Sequence, residues 1–259
     1  MCIRDRGREL VRQLAKEGCH VAMCDVIEEN MLETFEIVSK ESPDITLSKH
    51  VCDVSDEEQV NSFKDEVLAQ QNTQTINLLF NNAGIGGGGS FITSTREEWE
   101  RCFAVCWYGV YYCSRAFMQS IVESEEGHIV NTSSVNGFWA SLGGTPHTSY
   151  SAAKFAVKGF SEALIDDFRV NAPHVGVSVV MPGHIGTSIA ENTGKILGGE
   201  RSDEDYEKIK ENMIKMGMPV HNFSIDQIKE QIKENEEAYI MKILKDQNQV
   251  WLMQIKKQY

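Results

Sequence analysis

Tyr150 and Lys154, in the stretch YSAAK, stand four residues apart, so on a helix both side chains share one face. An ammonium beside a phenol favours the phenolate and draws its pKa down. That makes Tyr150 a workable proton donor or acceptor near neutral pH. Spacing alone says little, because YEKIK sets Tyr206 and Lys210 in the same relation without supporting context. The surroundings distinguish the first pair. Upstream, GHIVNTSSVNG reads as a strand ending in Ser133 and Ser134, whose hydroxyls would reach the C-terminal edge of a sheet. Downstream, VVMPGHIGTSI is a strand followed by a Pro-Gly turn and a hydroxyl residue. Earlier, LLFNNAG ends a strand in two asparagines and Gly84, where a ligand can approach bare backbone. Three strand ends and one helix thus converge on the edge at which open α/β sheets bind their ligands.

The elements that must position these groups are legible as apolar runs separated by helical stretches. The runs are HVAMCD (20–25), ITLSKHV (45–51), INLLFN (76–81), HIVNTS (128–133), VGVSVVM (175–181) and VWLMQI (250–255). Several are continuously apolar over four residues, as strands covered on both faces tend to be. Ser55 with Glu58 and Thr95 with Glu98 match the capping box that opens a helix. Strand alternating with helix implies an α/β fold with a doubly wound, Rossmann-like parallel sheet. The Gly-, Met- and charge-rich stretch 188–222 breaks this rhythm and reads as a lid over the sheet edge. Its Ile189, Ile196, Leu197, Met213, Met216 and Met218 suit an adaptable apolar surface, and suit ordinary core packing as well.

Composition narrows the classes. With 38 acidic against 25 basic residues the chain carries a net charge of −13, which argues against nucleic acid as a partner. Seven cysteines include no C-x-x-C pair and no histidine cluster at zinc spacing, so no metal site is expected. Reduced thiols, a charged N-terminus and the lack of a membrane-length apolar run point to a cytoplasmic, membrane-free protein.

Taken together, N-N-A-G at 81–84, the serine-ended strand, Y-x-x-x-K and P-G-x-x-x-T at 182–187 resemble the short-chain dehydrogenase/reductase family, from about Gly7 onward. The resemblance implies that Tyr150 is the catalytic acid/base, that Lys154 lowers its pKa and holds the nicotinamide ribose, and that Ser134 orients the substrate oxygen. It implies that Gly7, Asn82, Ala83 and Gly84 line the cofactor and that Asp53 and Val54 flank the adenine. Pro182, Gly183, Ile185 and Thr187 would hold the nicotinamide end. The implied reaction interconverts a secondary alcohol and a ketone on an apolar small molecule, in a homodimer or homotetramer. Asp25 ends a strand where a carboxylate can accept from both adenosine ribose hydroxyls and repel a 2′-phosphate, which favours NAD over NADP.

Two departures bear on that expectation. Cys106 stands where the family carries an asparagine in its proton relay, and a thiol cannot both donate and accept as an amide does. A non-catalytic dinucleotide-binding or scaffold relative, or an inactive fragment, is therefore the alternative reading. At the front, Gly7 fits the last glycine of a T-G-x-x-x-G-x-G turn, but Asp5 and Met1 replace the others and no strand precedes them. Residues 1–6 read as a non-native leader before a single domain over 7–259. A chain lacking that strand and turn is expected to be impaired in dinucleotide binding.

Overall fold

The computed structural model describes residues 6–87, 89–140 and 146–183, with isolated positions at 203, 207, 210, 211, 214, 224, 226 and 227. Its internal contacts divide the chain into two units, Met1–His184 and Ile185–Tyr259. In the second unit, Ser224 and Gln227 exchange a reciprocal pair of hydrogen bonds of capping-box type, at 2.9 and 3.2 Å. Most of the stretch expected to form a lid, and the whole of the expected strand at 250–255, lie outside the described residues.

The first unit alternates helix and strand throughout. It runs α1 (Arg6–Lys16), β1 (Val21–Asp25), α2 (Glu28–Glu41), β2 (Leu47–Val51), α3 (Glu57–Gln70) and β3 (Leu78–Asn81). It continues with α4 (Arg96–Phe103), a π-helical turn (Ala104–Tyr108), α5 (Gly109–Val122), β4 (Gly127–Thr132), a 3-10 turn (Val135–Gly137), α6 (Thr148–Asn171) and β5 (Val175–Val180). Every strand pair is parallel, as βαβ connections require. The apolar runs read from the sequence therefore fall on β1 to β5 with their ends moved by one or two residues.

The sheet is in two pieces. β1 pairs with β2, and β3, β4 and β5 form a separate ladder in that order. On β1, Val21 and Met23 pack with Val11 and Ala15 of α1 and Met31 and Val38 of α2, with Leu47 of β2 against them. Among the described residues, β1 and β3 are not hydrogen-bonded to each other, and a cavity of about 490 Å³ lies between them. Leu78, Leu79 and Phe80, which would be buried in the middle of a continuous sheet, are only half-buried.

Two helix starts differ in outcome. Thr95 and Glu98 form the expected reciprocal box at the start of α4. At α3 the cap is instead Asp56, whose carboxylate accepts from the backbone N–H groups of Glu58 and Gln59. Ser55 is drawn away by Asp53, to which its hydroxyl donates at 2.7 Å, and by the guanidinium of Arg101. A carboxylate at the next position satisfies the same orphan N–H groups at least as well.

Candidate active site

Strand β4 ends in Thr132, and the chain leaves it extended through Ser133 and Ser134 before the 3-10 turn begins. The two hydroxyls then part company. Ser133 Oγ donates to the Lys154 carbonyl at 2.7 Å, which ties α6 to the end of the sheet. Ser134 accepts from the Asn136 N–H at 3.2 Å and hydrogen-bonds the Tyr150 hydroxyl. Ser134, not Ser133, therefore faces the phenol.

Helix α6 carries Tyr150 and Lys154 on one face. The Lys154 ammonium is buried, donates to the Thr132 carbonyl at 2.8 Å and lies 5.6 Å from the centre of the Tyr150 ring. The start of α6 is pinned by α4 and by the loop after β3. Ser149 donates to the Trp99 carbonyl at 2.6 Å, Trp99 Nε1 donates to Thr148 at 3.1 Å, and the Thr148 hydroxyl donates to the Gly89 carbonyl at 3.1 Å. None of these fixings carries a sequence signal beyond hydroxyl residues near a helix start.

The electrostatics differ from expectation in one respect. Burial, and then the negative charge of Cys106, push the Tyr150 phenol up to about 12, against the Ser134 hydrogen bond and the charge of Arg6. Lys154 does not decide the direction: its ammonium donates to the Thr132 carbonyl and is itself lowered by burial. Arg6 opens α1, so its influence places the first turn of that helix close to the same site.

Cys106 sits in the π-helical turn, fully buried, with its thiol 3.3 Å from the Ile85 carbonyl. A hydrogen bond from Cys102, with the Lys154 charge behind it, holds Cys106 below the ordinary thiol range against the effect of burial. Cys102 is correspondingly pushed up. A Cβ built on Gly84 would lie 3.6 Å from Lys154 Nζ and 3.8 Å from Cys106 Sγ, so this glycine separates the two groups. The family resemblance puts Cys106 at a relay position; its hydrogen bond with Cys102 is visible only in the fold.

The remaining candidates fall around this edge. Asp25 is buried at the end of β1, where its carboxylate accepts from the Ile27 N–H at 3.0 Å. Asn82 and Ala83 follow β3, and Asn82 accepts from the Thr132 hydroxyl at 3.3 Å. Val54 is buried against α5, and a Cβ on Gly109 would come within 2.7 Å of its side chain. Asp53 forms an ion pair with Arg101 at 2.7 Å. Burial works to raise the Asp53 carboxyl, but hydrogen bonds from Ser55 and Arg101 together keep it below the usual carboxylate range. Gly7 is buried in the first turn of α1. Pro182 is buried after β5 and its carbonyl accepts from the Val135 N–H at 2.9 Å, which joins it to the Ser134 turn. Gly183 faces open space. Ile185 and Thr187 lie outside the described residues.

Donors and acceptors of this kind suit a dinucleotide. A buried ammonium and a carboxylate at strand ends match ribose hydroxyls, and a helix N-terminus bearing an arginine matches a pyrophosphate. Residues 6–197 match the family described as short chain dehydrogenase. The chain belongs to the short-chain dehydrogenase family. Among relatives of this family, the putative oxidoreductase SadH of Mycobacterium tuberculosis is 34% identical over 186 residues, covering 72% of this chain and 65% of that protein. The probable oxidoreductase EphD of the same organism is 34% identical over 189 residues, 73% of this chain but 30% of that protein. The chain thus spans less than two thirds of these relatives. Among solved structures, a short-chain dehydrogenase/reductase from Burkholderia phymatum in complex with NAD matches with a TM-score of 0.69 and 26% identity, over 90% of this chain and 83% of that one. Levodione reductase matches with a TM-score of 0.66 and 28% identity, over 74% and 72%. A metagenomic short-chain oxidoreductase in complex with NADP matches with a TM-score of 0.63 and 26% identity, over 78% and 89%. The doubly wound α/β fold of the family is therefore that of this chain.

Among the described residues no group of three or more metal-ligating side chains comes together, and no helix is long and apolar enough to cross a membrane.

Proposed function

We propose that this short-chain dehydrogenase interconverts a secondary alcohol and a ketone on an apolar small molecule, with NAD as the preferred cofactor. The observation that carries the reading is the set Ser134, Tyr150 and Lys154, with Ser134 hydrogen-bonded to the phenol and Lys154 buried behind its ring. When bound, the nicotinamide supplies or accepts the hydride. Ser134 and Tyr150 then present two hydroxyls to one substrate oxygen, the arrangement an incipient alkoxide requires. Tyr150 gives its proton to that oxygen in reduction and removes it in oxidation. Lys154 contributes its charge and a ribose-directed donor, while Asn82, Ala83, Gly84, Pro182 and Gly183 line the approach and Gly7 the phosphate end. Asp53 and Val54 flank the adenine end, with Asp53 held in place by Arg101. Ile185 and Thr187 belong to the nicotinamide end in this proposal.

Two matched structures differ in cofactor, NAD in one and NADP in the other, so the family leaves the preference open. The buried carboxylate of Asp25 supports NAD, since a 2′-phosphate there would meet a like charge. The exposed aromatic surface of Tyr108, Tyr111 and Phe155 supports a homo-oligomer. A non-catalytic dinucleotide-binding role is the second reading, favoured by Cys106 in place of a relay amide.

The test is turnover of medium-chain secondary alcohols with NAD. It is measured on the chain as it stands and on the chain preceded by an apolar strand and a glycine-rich turn. Tyr150→Phe should lower the rate by about 10²–10⁴-fold and leave NAD binding nearly unchanged. A Phe variant that keeps more than a tenth of the rate removes Tyr150 from the role of acid/base.

A further inference from the structure

Two thiols stand side by side close to Lys154. Cys102 lies near the end of α4 and Cys106 in the π-helical turn that follows, so both project from one face. Both are fully buried and they share a hydrogen bond. Their sulfurs lie 3.9 and 3.3 Å from a single acceptor, the Ile85 carbonyl oxygen, which aims both at one point. The Lys154 ammonium is near: a Cβ built on Gly84 would lie 3.6 Å from its nitrogen and 3.8 Å from the Cys106 sulfur. Cys24 and Cys52 also share a hydrogen bond, but the charges beside them are the carboxylates of Asp25 and Asp53.

We infer that Cys102 and Cys106 form a binding site for a soft monovalent cation, copper(I) in kind, held between their two sulfurs. Ligand type selects the ion, because thiolates favour copper(I) over harder cations. Ligand number selects it too. Structural zinc takes four tetrahedral ligands, and two sulfurs with one carbonyl do not supply them. The lack of zinc spacing in the sequence therefore has no bearing on a two-sulfur site. On binding, one metal–sulfur bond forms to each cysteine, any thiol proton leaves to solvent, and no electron is transferred. Charge decides which pair of thiols is used. Two thiolates around one monovalent cation keep a single negative charge, which the Lys154 ammonium offsets. At Cys24 and Cys52 the same charge would meet two carboxylates. Burial completes the site, since an apolar shell keeps water and competing ligands from the metal. The inference concerns ion binding and is independent of the dehydrogenase reading.

The experiment titrates the full chain, reduced and under nitrogen, with the copper(I) complex of bicinchoninate, whose colour reports the ion lost to the protein. The competitor keeps free copper(I) too low for isolated thiols to take it up. The chain should remove about one equivalent. Cys102→Ser and Cys106→Ser should each weaken that uptake by about a hundredfold or more, beyond the 10–100-fold that loss of a supporting partner costs. Cys24→Ser should leave it unchanged. If one of the two serine variants does not fold, the other decides, and Cys102→Ala serves where a buried hydroxyl is not accommodated. No uptake by the unsubstituted chain, uptake that survives Cys102→Ser, or uptake lost in Cys24→Ser each overturns the inference.

Discussion

At the scale of single residues, the proton chemistry turns on the burial of Tyr150 and then on Cys106 beside it. A phenol pushed up to about 12 is protonated at neutral pH, so in the proposed reaction it is ready as an acid for ketone reduction and weakly available as a base for alcohol oxidation. Oxidation needs the phenolate, whose population grows about tenfold per pH unit below the pKa. Oxidation rates should therefore climb with pH from neutrality into the alkaline range, whereas reduction stays level until the phenol begins to ionise. Cys106→Asn removes the neighbouring negative charge and supplies an amide that both donates and accepts. The alkaline limb of oxidation should then move to lower pH and kcat should rise by up to about tenfold, as a pH–rate profile of both proteins would show. An unmoved limb would mean that Cys106 is neutral and plays no part in tuning Tyr150. Asp25→Ala should erode the preference for NAD over NADP by roughly tenfold in kcat/KM, the size expected for one removed charge close to a phosphate. An unchanged ratio would assign specificity to another residue.

At the scale of elements, the edge that carries the proposed site is held by a buried polar network that crosses from sheet to helix. Asn81 and Asn131 are register partners on β3 and β4, and Asn81 donates to Asn131 at 2.8 Å and to Ser114 of α5 at 2.9 Å. Asn131 in turn donates to Ser161 of α6 at 2.9 Å. The network locks β3, β4, α5 and α6 into one arrangement. It thereby holds the strand end carrying Asn82 against the helix carrying Tyr150 and Lys154. Asn131→Ala would leave Asn81 without one acceptor and Ser161 without a donor in a fully buried place. The expected cost is about 2–3 kcal/mol, read as a lower midpoint in denaturant with an unchanged slope. A loss below half a kcal/mol would show that the network is dispensable. The π-helical turn acts on the same scale. It interrupts the passage from α4 to α5, and its side chain Cys106 reaches Ile85, the residue after Gly84. Extra-wide turns of this kind recur at functional sites because they re-aim a side chain without ending the helix.

For the whole molecule, a net charge of −13 keeps copies apart unless an apolar surface outweighs it. The aromatic residues along the π-helical turn and α5 provide one. Trp107 packs on Phe160 of α6 with ring centres 5.5 Å apart, and Tyr108 stacks on Tyr112 at 5.5 Å, while Tyr108 and Tyr111 stay exposed. Sedimentation should show a dimer or tetramer at micromolar concentration, and Tyr111→Glu should shift it toward monomer. A monomer in the unsubstituted chain would remove the oligomer from the proposal.

The sequence by itself determined the alternation of strand and helix, and with it the parallel sheet, because apolar periodicity and capping are local properties. Strand ends followed by Asn-Asn-Ala-Gly, Ser-Ser and Pro-Gly were legible for the same reason, as was the shared helix face of Tyr150 and Lys154. The cap of α3 was misplaced by one residue because Arg101, 46 positions from Ser55 in the chain, competes for the Ser55 hydroxyl. Which serine meets the phenol could be guessed from family pattern but was decided by Ser133 being taken by the Lys154 carbonyl. The direction of the Tyr150 shift, read from the Lys154 spacing as downward, is upward in the fold. It depends on how deeply the phenol is buried, and on Lys154 spending its proton on Thr132, 22 positions earlier in the chain. Spacing along a helix brings two charges near each other. Only tertiary packing fixes the solvent around them and the partner each one faces, and these set the sign of an electrostatic effect.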